Sequence, residues 1–377
     1  VHAVMISTGI DNETHLLKDT GSCKWGAIAD QQAAGLSYHF NKFVYQSMDV
    51  YREAFPNKAV YILNVTDNRW GTSKYAASKS PPIGIKNCGL DIDIESWEGY
   101  GAFTGLFDPW KVFSDTVPIW LETRYGLGSA EHRYWTFIAG LHYHPDAMDV
   151  HPEFLTQSEP EWLAFVNDHL GRTIENTPDV WTVLRDYEYP KVMWGTSSGS
   201  GQSGHMGDWA FWLYRQDHAP GNQTVRVWRK DLPTEAQAEV YSRQARRTDQ
   251  ATGNPYMSFN VDDRYPYAGQ RPMREPDGKV AYRVSVTLLN HGTDTFSLEY
   301  KNLAGQFVKK TLRKGPELGA ADRWVTAEFL LDDAYFANTM PGWADFRLNC
   351  NGDGDEIVHM VRVAGGWGAP PEKRPGP

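Results

Sequence analysis

The sequence predicts an α/β fold followed by an all-β fold: a parallel (β/α) barrel of the TIM type that lacks its first three β/α units, then a β-sandwich or jelly-roll domain. Up to about residue 190, compact apolar runs alternate with segments of helical spacing, as a parallel β/α fold requires. A Gly/Ser-rich stretch of the flexible kind follows. Beyond it, short alternating runs are separated by turn residues. We therefore expect a barrel region at 1–194, a linker at 195–207 and a β-sandwich module at 208–377.

The barrel region begins with the apolar run Val4–Ile6, and helical spacing then extends over 25–55 and stops at Pro56. Later predicted strands are 59–63, 83–90, 117–122 and 147–150, with a helix at 129–142 and amphipathic stretches at 161–170 and 180–185. These runs supply five strands, whereas a closed barrel has eight. We expect the other three units to belong to a missing N-terminal segment or to a partner chain.

The second region reads as a series of short strands. They are predicted at 209–214, 224–228, 280–289, 295–300, 324–331, 344–348 and 357–363. A helical patch at 233–247 interrupts the series, and the overlapping segment 241–249 contains three arginines. That segment either binds an acidic sugar or docks against the barrel, or it forms a salt-bridged helix face.

Composition limits the classes of function. The chain has 377 residues, a net charge of −10 and a pI of about 5.6, which argue against nucleic acid or an anionic membrane as partner. Three cysteines form no disulfide framework. Fifteen tryptophans and nineteen tyrosines suit either sugar stacking or a large core.

Two glutamates stand at the ends of predicted strands. Glu13 follows Asn12 after the first apolar run, and Glu122 ends the run that begins at Val117. Retaining glycoside hydrolysis uses two carboxyl groups about 5 Å apart, one as acid and one as nucleophile. Strand ends of a parallel β/α barrel converge on one pocket, so distant carboxylates can meet there.

These motifs and the alternation between them resemble the clan A glycoside hydrolases. The resemblance implies Glu13 as general acid/base, Glu122 as nucleophile and Asn12 as a ligand of the sugar 2-hydroxyl. It also implies a secreted or extracytoplasmic location and a β-module of the kind that often accompanies such barrels. No cofactor is expected, since two carboxylates suffice.

Other strand ends supply candidate substrate contacts, each of which is also explained by packing or by a turn. The candidates are Asn64, Asn68, Trp70, Asn87, Trp97, Trp120, Arg124, Tyr125 and His151. Arg124 and Tyr125 follow Glu122 and are placed to keep it ionised, or are ordinary loop residues.

No metal site is expected. His142, His144 and Asp146 are close in sequence but lack a fourth ligand, and the acidic run 351–356 lacks the full calcium-loop pattern. A hairpin turn explains that run better.

The leading hypothesis is therefore a retaining β-glycosidase acting on an oligo- or polysaccharide. One alternative is a non-catalytic carbohydrate-binding protein built on an incomplete barrel. Another is an assembly protein, because unpaired strand edges are templates for pairing.

Overall fold

A computed structural model of the chain describes residues 3–6, 36–63, 74–86, 91–93, 102–104, 115–122, 130–150, 152–184, 208–243, 245–265 and 282–365. The chain divides into two compact units: the described residues up to Arg172 belong to the first, and those from Thr173 onward belong to the second. Among the described residues, no helix combines the length and the apolar character that a membrane span needs.

The first unit contains a parallel sheet. Its described strands are β1 Ala3–Ile6, β2 Ala59–Leu63, β3 Gly84–Lys86, β4 Asp91–Asp93, β5 Ala102–Thr104, β6 Ile119–Glu122 and β7 Ala147–Asp149. The described helices are Leu36–Ala54, Ala130–Leu141, Pro152–Gln157 and Pro160–His169. Five strands pair in parallel in the order β1-β2-β3-β6-β7, and β4 pairs with β5 in an antiparallel ribbon.

Burial explains why these strands read as continuous apolar runs. Ile62, Ile85 and Ile119 are register partners on three neighbouring strands and are almost fully buried, as expected for a parallel sheet. Gly84 starts β3 because nothing larger fits: a Cβ there would lie 2.3 Å from the Tyr61 ring. The Tyr61 ring is itself buried and makes an edge contact with Trp120 at 5.4 Å.

The predicted barrel is wrong. In the described part of the chain the parallel sheet is open and has five strands, with β1 and β7 as its two ends. Most of the other described strands are antiparallel and lie in the second unit. The physical reason for the error is that buried parallel strands have the same apolar pattern in an open sheet and in a barrel, so periodicity does not report closure.

The second unit is antiparallel. Its strands are β8 Val180–Val183, β9 Trp209–Phe211, β10 Leu213–Arg215, β11 Val225–Arg226, β12 Arg246–Arg247, β13 Tyr256–Val261, β14 Tyr282–Leu289, β15 Thr295–Lys301, β16 Phe307–Arg313, β17 Trp324–Leu331, β18 Phe346–Asn349 and β19 Ile357–Gly365. A short helix, Thr234–Gln237, and the 3₁₀ turns Arg229–Asp231, Val240–Arg243 and Gln250–Thr252 complete it.

The strands form two sheets. One has the order β10-β13-β18-β15-β16; the other has β11-β12-β19-β14-β17, with β8 paired to β19 and β9 paired to β8. Phe296 of β15 and Phe329 of β17 meet between them with ring centroids 5.9 Å apart, and Phe336 stacks on Tyr282 of β14. The two sheets therefore enclose one apolar core, which makes this unit a β-sandwich.

One predicted turn differs from expectation. The acidic run 351–356 is not a hairpin turn, because it joins β18 and β19, which lie in different sheets. Beside it Lys314 is buried, with its Nζ 2.8 Å from Asp294 Oδ2 and 3.1 Å from Glu356 Oε2. Burial is the largest influence on the Glu356 carboxyl and raises its pKa to about 8.

The arginine-rich segment has a structural use for one of its arginines. Arg246 is buried, and its guanidinium donates to the hydroxyl of Thr224 at 2.6 Å and also to the Thr224 carbonyl. Its charge is therefore directed into the protein and away from any acidic sugar.

Candidate functional site

The carboxyl edge of the parallel sheet brings several polar strand ends together. Glu122 ends β6 and Asp149 ends β7, and the two residues are paired in register. Lys86 ends β3, and its Nζ lies 2.6 Å from Asp149 Oδ2 and 4.8 Å from the centroid of the Trp120 ring. The predicted residue Glu122 thus lies at the same sheet edge as Lys86 and Asp149, two residues that sequence reasoning missed, and the predicted Trp120 lies next to Lys86.

The missed residues carried a usable signal. Lys86 and Asp149 are the last residues of their strands, and the carboxyl ends of parallel strands are where functional groups converge. The predicted strands ran on to residues 90 and 150, which hid these polar ends. Ending each predicted strand at its first charged residue identifies both Lys86 and Asp149.

The other predicted site residues lie outside the described part of the chain. They are Asn12, Glu13, Asn64, Asn68, Trp70, Asn87, Trp97, Arg124, Tyr125 and His151. Their proposed roles stay predictions.

A cavity of about 540 Å³ lies at the opposite, amino-terminal edge of the parallel sheet. Its lining includes Ala59, which starts β2, Pro118, which precedes β6, and Asp146, which precedes β7. Arg52 also lines it and donates hydrogen bonds to the carbonyls of three turn residues, so its guanidinium fastens these turns. This cavity is distinct from the edge that carries Glu122.

His144 and Asp146, two of the three residues considered for a metal, make polar contacts in this same region. His144 Nδ1 lies 3.1 Å from Asp115 Oδ1, and Asp146 Oδ2 accepts a hydrogen bond from the backbone N–H of Ile119 at 3.0 Å. Within the described residues, no group of three acidic, histidine or cysteine side chains has the geometry of a metal site.

The second unit has an exposed tryptophan on a fixed loop. Trp343 lies between β17 and β18, and 75% of its surface is exposed. The preceding Gly342 has a φ of 75°, and a Cβ on it would lie 2.2 Å from the Cβ of Ala219, so the loop packs closely against that residue. A backbone hydrogen bond from Met340 N–H to the Ala344 carbonyl closes the loop.

A chain of hydrogen-bonded amide and carboxyl groups starts at the Trp343 backbone carbonyl. Asn260 donates from its side chain to the Trp343 carbonyl at 2.8 Å and to the side-chain oxygen of Asn338. Asn338 in turn donates to Asp263 Oδ1 at 2.9 Å. We define the Trp343 site as Trp343, Asn260, Asn338 and Asp263.

A buried aspartate anchors the site from beneath. Asp345 Oδ1 accepts the backbone N–H of Asn338, and Oδ2 accepts that of Val261, both at 2.8 Å. The carboxyl is buried, and this burial is the main reason that its pKa rises to about 7, with the neighbouring Asp263 adding to the rise. Asp345 thus ties the Trp343 loop to the end of β13.

This arrangement suits binding. An indole face offers a rigid apolar surface for the C–H face of a sugar ring, at little conformational cost. Amide and carboxylate groups supply the donors and acceptors that hydroxyl groups need. Sequence reasoning missed Trp343, although it follows Pro341-Gly342, a dipeptide that indicates a turn.

No protein-family model matches the chain, and no curated protein matches it. Among solved structures, it is similar to the C-terminal CBM6 of LamC, a marine laminarinase from Zobellia galactanivorans, with 13% identity and a TM-score of 0.22, over 40% of this chain and 98% of that chain. It is also similar to BiXyn10A CBM1 in its apo form, with 9% identity and a TM-score of 0.19, over 40% of this chain and 95% of that chain. Both TM-scores are far below those of chains that share a fold, so neither likeness assigns a function.

Proposed function

We propose that this chain binds carbohydrate at the Trp343 site. The observation that carries the proposal is the 75% exposure of Trp343 on a loop fixed from several sides. If a sugar ring covers about 100 Å² of the indole, burial at about 25 cal/mol per Å² contributes about 2.5 kcal/mol. The side chains of Asn260, Asn338 and Asp263 add hydrogen-bonding groups that orient the sugar.

A second exposed tryptophan provides a contrast. Trp228 is 41% exposed, but the guanidinium carbon of Arg226 lies 3.3 Å from its ring centroid. One face of that indole is therefore already covered by protein. This makes Trp228 the matched control for Trp343.

The test is affinity electrophoresis against a panel of plant and algal polysaccharides, followed by titration calorimetry with the best ligand. We expect Trp343→Ala to weaken binding about 30-fold or more, the equivalent of about 2 kcal/mol, and Trp228→Ala to leave it within about two-fold. Equal losses in the two variants, or a Trp343→Ala protein that binds like the parent, contradict the proposal. A folded parent that binds no polysaccharide of the panel also contradicts it.

A second candidate function is retaining hydrolysis of a β-glycosidic bond, with Glu13 and Glu122 as its carboxylates. It is supported by the end position of Glu122 on β6 and by its register with Asp149, next to Lys86 and Trp120. In the open sheet, β1 is three strands from β6, or about 14 Å at the usual spacing. This function therefore requires Glu13 to come within about 5 Å of Glu122 across that distance.

Hydrolysis of aryl β-glycosides and polysaccharides tests this second function. We expect Glu13→Ala and Glu122→Ala to abolish activity, and azide to restore turnover in Glu122→Ala by forming a glycosyl azide of inverted configuration. The candidate fails if the folded parent hydrolyses nothing, or if either variant retains full activity.

A further inference from the structure

One face of a sheet in the β-sandwich is positively charged, in contrast to the net negative charge of the chain. In the sheet β10-β13-β18-β15-β16, even-numbered residues of β15 such as Phe296 face the core, so its odd-numbered residues face away from the core. Cross-strand register places Glu299 opposite both Arg347 and Lys309, and Lys301 opposite Phe307. We call this surface the outer face.

The outer face is basic although the chain has a net charge of −10. On β15, β16 and β18 it carries four cations, at Lys301, Lys309, Arg313 and Arg347, against one carboxylate, that of Glu299. A local excess of positive charge on an acidic protein attracts anionic ligands to this face.

At the centre of the outer face, the Arg347 guanidinium is held in place. Its Nε donates to Glu299 Oε2 at 2.7 Å, and its Cζ lies 3.8 Å from the centroid of the Tyr256 ring. Glu299 is itself fixed, because its side chain is 4% exposed and its Oε1 accepts a hydrogen bond from Asn349 at 2.7 Å. The protein therefore contacts one edge of the Arg347 guanidinium, through Glu299, and one of its flat faces, through the Tyr256 ring.

The two terminal nitrogens of Arg347 make no hydrogen bond to any part of the chain that the structure describes. Parallel N–H groups in this geometry match two oxygens of a sulfate ester or a carboxylate. The Phe307 ring, whose centroid is 5.7 Å from the guanidinium carbon, is 52% exposed. An anion site and an open aromatic ring thus lie side by side.

We propose that the outer face is a second carbohydrate-binding surface, specific for anionic polysaccharides. A sulfate or carboxylate group of the polymer binds Arg347, and a neighbouring sugar ring covers Phe307. Lys309 and Arg313 provide further charge along the edge strand β16. The proposal rests on carbohydrate binding as the general function but uses residues separate from the Trp343 site.

The test is titration calorimetry with κ-carrageenan, its desulfated form and polygalacturonate, at low and at high salt. The principal variant combines Arg347→Met with Glu299→Gln, so that no buried carboxylate is left without its partner. Phe307→Ala tests the ring contact, and this exposed residue carries little risk for folding. Arg283→Met, an exposed arginine on the other sheet, is the matched control for charge. Circular dichroism verifies that each variant is folded.

We expect the double variant to lose at least ten-fold in affinity for the charged polymer and to keep its affinity for the desulfated one. Phe307→Ala should weaken binding several-fold, and Arg283→Met should leave it unchanged. Binding of κ-carrageenan alone identifies a sulfate ester as the recognised group, and binding of polygalacturonate alone identifies a carboxylate. Equal binding of both assigns the site to the shared anion chemistry.

The inference is overturned if the double variant binds like the parent or if Arg283→Met weakens binding to the same extent. It is also overturned if duplex DNA binds as tightly as the polysaccharides in an Arg347-dependent manner. Trp343→Ala separates the two proposals. If this variant loses binding of neutral polymers while the Arg347 change has no effect on charged polymers, the outer-face proposal is rejected and the Trp343 proposal is retained.

Discussion

Asp345 makes the stability of the second unit depend on pH. Its carboxyl is 1% exposed, and its pKa rises from an ordinary 3.8 to about 7, chiefly because of burial. Between these two values the folded protein holds a proton that the unfolded chain has lost. Stability from this group is therefore complete below about pH 4 and is lost as pH rises to about 7.

Replacing Asp345 by asparagine removes that titration. The difference between 3.8 and about 7, at about 1.4 kcal/mol for each factor of ten, corresponds to about 4 kcal/mol. Asparagine has one acceptor oxygen for the two backbone N–H groups that Asp345 serves, which costs stability by an amount independent of pH. The readout is therefore how the difference between variant and parent changes with pH.

Urea denaturation of both proteins, followed by tryptophan fluorescence at five values between pH 4 and pH 8, measures this change. As the pH rises from 4 to 8, we expect the free energy of unfolding of Asp345→Asn to increase by about 4 kcal/mol relative to that of the parent. The Glu356 carboxyl, whose pKa burial also raises, is present in both proteins and cancels. A difference that stays constant from pH 4 to pH 8 refutes the assignment of a raised pKa to Asp345.

Three further substitutions test the packing of the two units. Gly84→Ala forces a methyl group against the Tyr61 ring and should lower the stability of the first unit by about 1–3 kcal/mol in thermal unfolding; an unchanged midpoint contradicts this contact. Asn290→Ala removes a buried amide that bonds three loop carbonyls and one N–H, so urea denaturation should register a loss of about 3 kcal/mol, and a loss below about 1 kcal/mol argues against this network. Lys314→Met leaves the buried Glu356 carboxylate without its cation and should lower the free energy of unfolding by about 3 kcal/mol at pH 9, but by less at pH 5, where the carboxyl is protonated. Equal losses at the two pH values speak against the buried pair.

Local patterns predicted the elements better than their assembly. Each of the seven runs predicted as strands beyond residue 208 overlaps a described strand, because alternation indicates one buried face. β12, β13 and β16 were missed, and β12 fell within the stretch 233–247 that was predicted as helical. β16 is an edge strand in which Lys309 and Lys310 interrupt the apolar pattern, so its sequence reads as a solvated loop.

Pairing over long distances was not predictable from local patterns. Val180–Val183 read as an amphipathic stretch of the first region, yet it is β8 and pairs with β19. The four residues of β8 do not indicate that their partner is β19, far along the chain. In the same way, the residues of β1 and β6 do not indicate whether their sheet closes into a barrel. The strand-end rule did place Glu122 at the carboxyl end of β6, because that rule needs only the strand boundaries.

The exposure of individual side chains was also not predictable from the sequence. Trp228 and Trp343 are both tryptophans next to turns, but Arg226 covers one and leaves the other open. Such differences depend on which side chains meet after folding. The aromatic content could therefore suggest sugar binding without identifying the residue that performs it.

The position of β19 in its sheet has a consequence for how the second unit is made. This strand, Ile357–Gly365, is the last described one, yet it pairs with β14 on one side and with β12 and β8 on the other. During synthesis, β8 and β14 leave the ribosome well before the strand that joins them, so each waits with an unpaired edge. Sheets that depend on such distant pairing fold slowly and are exposed to aggregation in the meantime. We therefore expect this unit to fold only after translation has passed Gly365, and chains that stop before Ile357 to be captured by chaperones or degraded.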